Sequence, residues 1–273
     1  MKKTKYEKIS ILIPVFNAQK TLKKTISSAL MQKYPNFDIL ISDNSSDDKS
    51  KLILQKIKKK NVKIFYQKDN VGAPKNWIFL TKKTKSKIII FLGADDKFKD
   101  RHSLKNLYTN IKKSNAICSA GGFIQDLKKF KNKIILKEAD TNLSLLINSI
   151  AGKYNFFWYG MWKKEYFQKL LVKFTTFQGL PELSLDKVSM FFHLININLN
   201  FSTFNKICYI KRMKNKRNKS SSLKIFEIFL EFFYSFKIFF REKQNLGIKI
   251  LFICLMFIFN VYRLFYSFLR KFI

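Results

Sequence analysis

Residues 9–17 read Ile-Ser-Ile-Leu-Ile-Pro-Val-Phe-Asn, and residues 87–96 read Lys-Ile-Ile-Ile-Phe-Leu-Gly-Ala-Asp-Asp. Each is a short apolar run, rich in β-branched residues, that stops at a polar side chain. Runs of this length without polar alternation suit strands buried on both faces, which occur where helices cover a parallel sheet. The pattern repeats along this part of the chain and predicts strands over Ile9–Phe16, Phe37–Ser42, Val62–Gln67 and Lys87–Leu92. Between the first two, Leu22, Ile26, Ala29 and Leu30 recur with helical period and give out near Tyr34-Pro35. Between the second and third, Leu52, Ile53 and Ile57 do the same, with Ser45 or Ser46 placed to cap the start. Pro74 suits the first turn of a third helix carrying Trp77, Ile78 and Phe79. The alternation predicts an α/β layer fold with a mainly parallel sheet flanked by helices.

Open sheets of this kind bind ligands beyond the carboxyl ends of their strands. The residues there are Asn17, Asp43-Asn44-Ser45-Ser46-Asp47-Asp48, Asp69-Asn70-Val71-Gly72 and Gly93-Ala94-Asp95-Asp96, so polar and acidic groups converge on one edge. Residues 14–19 contain no GxGxxG, and no GxxxxGK[ST] occurs anywhere, which excludes the dinucleotide and Walker modes of nucleotide binding. The two histidines, His102 and His193, and the widely spaced Cys118, Cys208 and Cys254 offer neither a zinc cluster nor a disulfide framework. Carboxylates are left to carry the chemistry, and the cysteine usage suits a reducing compartment.

The ordered set Ser10–Asn17 (SILIPVFN), Ile41–Asp48 (ISDNSSDD), Asp69–Trp77 (DNVGAPKNW) and Phe91–Asp96 (FLGADD) resembles the successive motifs of family 2 glycosyltransferases, which have a GT-A fold. The likeness covers roughly the first 120 residues and extends more loosely to Leu194. It implies a nucleotide-sugar donor whose diphosphate is neutralised by Mg²⁺ or Mn²⁺ held at Asp95 and Asp96, a hard cation taking oxygen ligands. The family pattern usually reads Asp-x-Asp, and Gly93 stands where its first Asp would be, so the resemblance leaves open which of Asp95 and Asp96 is the direct ligand and which contacts the ribose. By the same likeness Val15, Phe16 and Asn17 cradle the base, and Asp43 contacts base or ribose. Ser45 and Asn70 join the donor set, Gly72 shapes its loop and Lys75 reaches phosphate. Asp47 either contacts the donor or balances the positive end of a helix.

Downstream the chain is less regular. Strands are expected over Ala116–Phe123 and Lys133–Leu136, and a helix over Leu143–Ile150. Trp158, Tyr159 and Trp162 form an aromatic cluster around Gly160, read either as core or as flat surfaces on which an acceptor sugar stacks. An inverting transfer needs a general base for the acceptor hydroxyl. The resemblance places it at the start of a helix, where Pro181-Glu182-Leu183-Ser184-Leu185-Asp186 offers Asp186, with Glu182 four residues earlier as the rival. The family's usual acidic pair is here Leu185-Asp186. His193, on an apolar stretch, is read as packing.

With 53 Lys and Arg against 18 Asp and Glu the chain carries a formal charge of +35, yet a 47% hydrophobic content with 30 Phe fills a core and excludes a disordered basic tail. Lysine is spread through every segment, which reads as compositional bias rather than as a nucleic-acid surface, and no nucleic-acid partner is expected. Residues 1–8 run into the first strand without a long apolar stretch, so no secretory leader is read there. The organisation expected is a catalytic domain over 1–210 (donor half 1–115, acceptor half 116–210), a basic linker over 211–222 and an aromatic helical tail over 223–273. The longest uncharged run in that tail, Ile250–Tyr262, has 13 residues. A helix of that length reaches about 20 Å against a hydrocarbon core of roughly 30 Å. The tail is therefore expected to lie in an anionic membrane surface, with Lys249, Arg263, Arg270 and Lys271 at the headgroups, a single span being the alternative. The function expected is an inverting, metal-dependent glycosyltransferase at the cytoplasmic face of the cell membrane. It would act on a glycan or lipid-linked glycan acceptor of surface polysaccharide or lipooligosaccharide synthesis. An inactive membrane-anchored relative, suggested by Gly93, and a basic nucleic-acid binder are the competing readings.

Overall fold

All four strands of the first half form within two residues of their expected ends in the computed structural model, whose described residues are 6–126, 131–134, 160–175 and 201–212. They are β1 (Ile9–Val15), β2 (Phe37–Asp43), β3 (Val62–Tyr66) and β4 (Ile88–Phe91), with α1 (Leu22–Leu30), α2 (Ser50–Gln55) and α3 (Ala73–Lys83) between them. Then follow β5 (Lys97–Phe98), α4 (Ser103–Ser114), β6 (Cys118–Asp126), β7 (Lys131–Ile134), β8 (Met161–Lys163), α5 (Lys164–Thr175) and β9 (Phe201–Arg212). The described strands form one sheet in the order β3-β2-β1-β4-β8-β6-β9-β5, with β7 paired to β6. β1, β2, β3 and β4 are mutually parallel, and β6 and β9 run the same way, while β5, β7 and β8 run against them. The sheet is thus mainly parallel, as expected.

Strand order sets the helix layers. From β1 to β2 to β3 the chain steps in one direction, and from β3 to β4 it steps back across β2 and β1. Right-handed crossovers then put α1 and α2 on one face and α3 on the other, where α3 packs on β1, β2 and α5. With both faces covered, Ile9, Ile11, Leu12, Ile13, Ile39, Leu40 and Ile41 are fully or almost fully buried. Each such side chain contributes roughly 1.5–3 kcal/mol relative to an exposed one. β3 departs from the expected two-faced burial because it is the edge strand, and its residues are half-buried or exposed.

A buried polar cluster fixes the register beneath this apolar layer. Ser10 and Asp38 are partners across the β1–β2 ladder, and Ser10 Oγ lies within hydrogen-bond distance of Asp38 Oδ1, of Thr84 Oγ1 at 2.6 Å and of Ser86 Oγ at 2.8 Å. Lys8 pairs with the same carboxylate at 2.6 Å. A one-residue slip would strand these groups without partners as well as turning the apolar face outward.

The second half corrects several expectations. β6 begins at Cys118 and runs to Asp126, later than read, because the chain leaves α4 through a left-handed Asn115 before it can pair. β7 covers Lys131–Ile134 and so begins two residues before the expected Lys133, while Ile135 and Leu136 lie outside the described residues. β9 extends through Arg212, two residues into the stretch read as a basic linker, because Lys211 and Arg212 continue the ladder with β6. Trp162 is not an acceptor platform: it sits in β8 between β4 and β6, fully buried, with its ring 5.3 Å from that of Phe167 in edge contact. It has no exposed face on which a sugar could stack. Trp158, Tyr159, Glu182, Asp186, His193, the helix expected over 143–150 and the tail lie outside the described residues. No helix among the described residues is long and apolar enough to cross a membrane.

Cys118 and Cys208 are both buried, and burial pushes both thiols up, that of Cys208 to about 12. Replacing Trp162 by Ala should cost about 3–5 kcal/mol in urea unfolding, the value of a large aromatic removed from a packed core. A loss below about 1 kcal/mol would contradict the core assignment.

Candidate active site

Because β1, β2 and β3 are parallel and in register, their ends align: Val15 pairs with Asp43, and Asp43 with Tyr66. The loops that follow are tied to one another more than to the core. Asn44 N donates to Val15 O at 2.8 Å, and Gln67 N to Asp43 O at 2.8 Å, which extends the ladders past the strands. Asp43, 2% exposed, accepts from the backbone N–H and hydroxyl of Ser46, and Ser46 Oγ in turn accepts from Asn17 N at 3.0 Å. Asn17 Oδ1 accepts from Asp47 N at 3.1 Å. The first loop is therefore clasped to the second through the very residues that the motifs single out.

Two non-glycine residues here have left-handed backbones, Asn17 at φ 49° and Ser45 at φ 59°. Asn tolerates that region and Ser does so at a cost of order 1 kcal/mol, the kind of strain that persists where surrounding contacts over-determine the chain. Ser45 is exposed and its hydroxyl reaches Lys68 O at 3.4 Å. Neither Ser45 nor Ser46 caps α2, as the sequence suggested. The N-cap is Lys49, whose side chain makes no cap hydrogen bond, and the first N–H of the helix is held by Asp48 just before it: Asp48 Oδ1 accepts from Ser50 N at 2.8 Å while Oδ2 accepts from Gln19 N at 2.9 Å. Burial raises the Asp48 carboxyl, but the Ser50 hydroxyl and the Gln19 and Ser50 N–H groups outweigh it and hold the group below the ordinary carboxylate range.

The third loop is held by an amide pair. Asn44 Nδ2 donates to Asn70 Oδ1 at 2.7 Å, Asn44 Oδ1 accepts from Val71 N at 3.0 Å, and Asn70 Oδ1 also accepts from Gly72 N at 3.0 Å. Gly72 has φ 80° and ψ 159°, a conformation essentially reserved for glycine, and it turns the chain into α3 with Pro74 in the first turn as expected. Lys75 is exposed on that turn. Phe16 and Tyr66 are the large exposed rings at the strand ends, 49% and 44% accessible. Burial and then the Asp43 carboxylate push the Tyr66 hydroxyl up, and Lys51 Nζ stands 5.9 Å from the ring centre.

The acidic loop after β4 is anchored from α1. Thr21 Oγ1 donates to Ala94 O at 2.8 Å, and Thr25 Oγ1 lies 2.9 Å from Ala94 O and 2.7 Å from Asp96 O. Asp96 N closes the turn on Gly93 O at 2.9 Å. Asp96 is 4% exposed and Asp95 is half-buried. A Cβ at Gly93 would stand 2.8 Å from Asp96 Oδ2 and 3.3 Å from Asp95 Oδ1. The glycine is thus the space that both carboxylates use. Among the described residues no group of three or more His, Cys, Asp or Glu side chains could hold a metal. Two adjacent carboxylates nonetheless fit a hard cation that takes its other oxygen ligands from a diphosphate and water.

The structure thus brings together Val15, Phe16, Asn17, Asp43, Ser45 and Asn70, and places Lys75 and the Asp95-Asp96 turn on the loops of the same sheet edge. Sequence reading assigned no role to Thr21, Thr25 or Asn44. Asn44 carried a signal, a polar residue directly after a buried strand, whereas the threonines look like ordinary residues of a helix start.

The model of the family described as glycosyl transferase family 2 matches residues 10–179. The chain belongs to that family. It is 28% identical over 201 residues to the poly(ribitol-phosphate) beta-N-acetylglucosaminyltransferase TarP of Staphylococcus aureus, a stretch covering 71% of this chain and 60% of TarP. It is 39% identical over 93 residues to the UDP-Glc:alpha-D-GlcNAc-diphosphoundecaprenol beta-1,3-glucosyltransferase WfaP of Escherichia coli, covering 33% of this chain and 36% of WfaP. The chain spans less than two thirds of the length of these curated relatives. In fold it is similar to residues 1–349 of S. aureus TarS in complex with UDP-GlcNAc, with a TM-score of 0.68, 18% identity, and 89% of this chain and 69% of the other covered. It is likewise similar to the mannosyltransferase PcManGT of Pyrobaculum calidifontis in complex with GDP-Man and Mn²⁺, with a TM-score of 0.63, 13% identity, and 97% and 74% covered. The GT-A fold expected from the motifs is the fold of this family member.

Gly93→Ala should displace the Asp96 carboxylate. The strain of the added methyl should lower stability by about 1–3 kcal/mol, read as a lower thermal midpoint. An unchanged midpoint would mean that the turn accommodates the methyl without moving either carboxylate.

Proposed function

We propose that the chain transfers a sugar, with inversion at the anomeric carbon, from a nucleotide-sugar donor to a glycan or lipid-linked glycan acceptor of surface polysaccharide synthesis. The observation that carries this reading is the sheet edge itself, where loops bearing Asp43, Asn70 and the Asp95-Asp96 turn follow parallel strands and hydrogen-bond to their neighbours. Asp43, Val15, Phe16 and Asn17 would hold the nucleoside, with Ser45 and Asn70 around it, and Lys75 would reach toward phosphate. Asp95 and Asp96 would hold Mg²⁺ or Mn²⁺, which supplies counter-charge to the departing diphosphate. Asp186, with Glu182 as the alternative, would take the acceptor hydroxyl proton as its oxygen forms the bond to the anomeric carbon and the carbon–oxygen bond to the diphosphate breaks. Trp158 and Tyr159 would flank the acceptor. The relatives TarP and WfaP, named for transfer to poly(ribitol-phosphate) and to a diphosphoundecaprenol-linked sugar, support a polymeric or lipid-linked acceptor.

The test uses the full chain with a panel of nucleotide sugars, with and without Mn²⁺. Asp95→Asn and Asp96→Asn should each weaken donor binding or turnover, one of them by about 10²-fold or more. Asp186→Asn should cut transfer by about 10²–10⁴ while leaving donor affinity intact, because only the proton transfer is lost. Absence of donor binding under every condition would refute the enzyme reading. A silent Asp186→Asn with a crippled Glu182→Gln would move the base to Glu182.

We further propose that residues 223–273 attach the protein peripherally to the inner face of the cell membrane. Their Phe, Ile and Leu content exceeds what a soluble surface tolerates, and interspersed basic residues add about 1 kcal/mol each near an anionic leaflet. Deleting 223–273 should move the protein from the membrane fraction to the soluble fraction with donor binding retained. Full-length protein that stays soluble at low salt would instead place the tail on protein.

A further inference from the structure

Among the described residues two buried side-chain polar atoms find no hydrogen-bond partner, Asn76 Oδ1 and the hydroxyl oxygen of Tyr209. Burying a polar atom unpaired is costly, so each calls for a reason. Asn76 is accounted for in part, since its Nδ2 donates to Ser42 O at 3.2 Å and ties α3 to the end of β2. The Tyr209 side chain has a single polar atom, and that atom is the orphan.

Tyr209 is held firmly in place. It is 4% exposed in β9, directly opposite Phe98 of β5 in an antiparallel ladder, with the two ring centres 5.5 Å apart. Lys99 N donates to Cys208 O at 2.9 Å and continues that pairing beyond β5. Residues opposite one another share a face of the sheet, and so do residues two apart along one strand. Asp96 stands two residues before Phe98, and burial alternates here, Asp96 and Phe98 being buried and Lys97 half-buried. The Asp96 side chain thus enters on the face that carries the Tyr209 ring.

Burial pushes the Tyr209 hydroxyl well up, and Cys208, Cys118 and the Asp96 carboxylate add to the effect. The phenol keeps its proton and has a hydrogen bond to donate. The two thiols are themselves kept protonated by burial, and a thiol sulfur is a weak acceptor. The Asp96 carboxylate is the strong acceptor of the three. In this structure it lies over Gly93, its Oδ2 being 2.8 Å from where a Cβ there would stand, and it makes no bond to Tyr209. Its main chain is pinned, with Asp96 N donating to Gly93 O at 2.9 Å and Asp96 O accepting from Thr25 Oγ1 at 2.7 Å. Rotation of the Asp96 side chain is what remains to bring carboxylate and phenol together.

We propose that Tyr209 is a positioning residue for Asp96, whose carboxylate turns one oxygen to the Tyr209 hydroxyl while the other holds a divalent cation. This role rests on Asp96 being a cation ligand, as proposed above. The hydrogen bond fixes the orientation of the carboxylate from behind, as groups that support a ligand do, and gives the buried hydroxyl its partner.

The test compares the full chain with Tyr209→Phe, which keeps the ring against Phe98, and with Tyr34→Phe, which removes a hydroxyl that donates to Glu7 O at 2.7 Å near the amino-terminal end of β1. In buffer without divalent cation Tyr209→Phe should melt at or above the wild-type temperature, because it removes an unsatisfied group, whereas Tyr34→Phe should melt lower. Mn²⁺ alone is then titrated and its free fraction read by electron paramagnetic resonance. Tyr209→Phe should raise the Kd for Mn²⁺ about tenfold or more, and Tyr34→Phe should leave it within about twofold of wild type. An equal Kd in wild type and Tyr209→Phe, or a Tyr209→Phe midpoint that falls as far as that of Tyr34→Phe, would overturn the positioning role while leaving the cation reading of Asp96 intact. Wild-type binding that Asp96→Asn does not weaken, or no binding of Mn²⁺ at all, would remove that reading and the role of Tyr209 with it.

Discussion

The architecture depends on β1 being paired on both sides in parallel, to β2 along its whole length and to β4 over Ile9–Leu12. A strand in that position has no free edge and no exposed face, so its sequence must be apolar and its register must be exact to the residue. The Ser10–Asp38 contact with Thr84 and Ser86 enforces that register from the lower edge. Everything at the upper edge follows. With Val15 opposite Asp43 and Asp43 opposite Tyr66, the loops leave the sheet at one level and close enough to bond to each other.

Those loops are a polar lattice rather than a set of independent turns. Asp43, Ser46, Asn17 and Asp47 form one chain of hydrogen bonds, and Asn44, Asn70, Val71 and Gly72 form another. Preorganised groups of this kind lose little entropy when a ligand arrives. The left-handed Asn17 and Ser45 are tolerated because the lattice fixes their neighbours on both sides. The Asp95-Asp96 turn is steadied from outside by the Thr21 and Thr25 hydroxyls of α1.

Charge is arranged on two scales. At long range the chain is strongly cationic, at +35, and its field draws anionic ligands to the surface. At short range Asp43, Asp47, Asp48, Asp69, Asp95 and Asp96 gather on the loops of one sheet edge, 6 of the chain's 18 acids. In the proposed reading, a diphosphate attracted by the first would be matched to the second by a cation.

The sequence alone determined the first half of the fold. Strands buried on both faces must be short apolar runs, and the helices between them must show one apolar face, so period and length sufficed for β1 to β4 and α1 to α3. It also determined which residues stand at the candidate site, because in a parallel sheet the functional edge is always the carboxyl end. Tertiary structure decided the rest. Trp162 belongs to the core because β8 inserts between β4 and β6, a pairing distant in sequence with no local signature. The first N–H of α2 is held by Asp48 rather than by either serine because Ser46 is already engaged with Asp43 and Asn17. Thr21 and Thr25 support the acidic turn because a crossover helix returns to lie beside a loop about 70 residues away in the chain. Local pattern encodes which groups are buried, whereas which buried group meets which is set only when distant strands share one ladder.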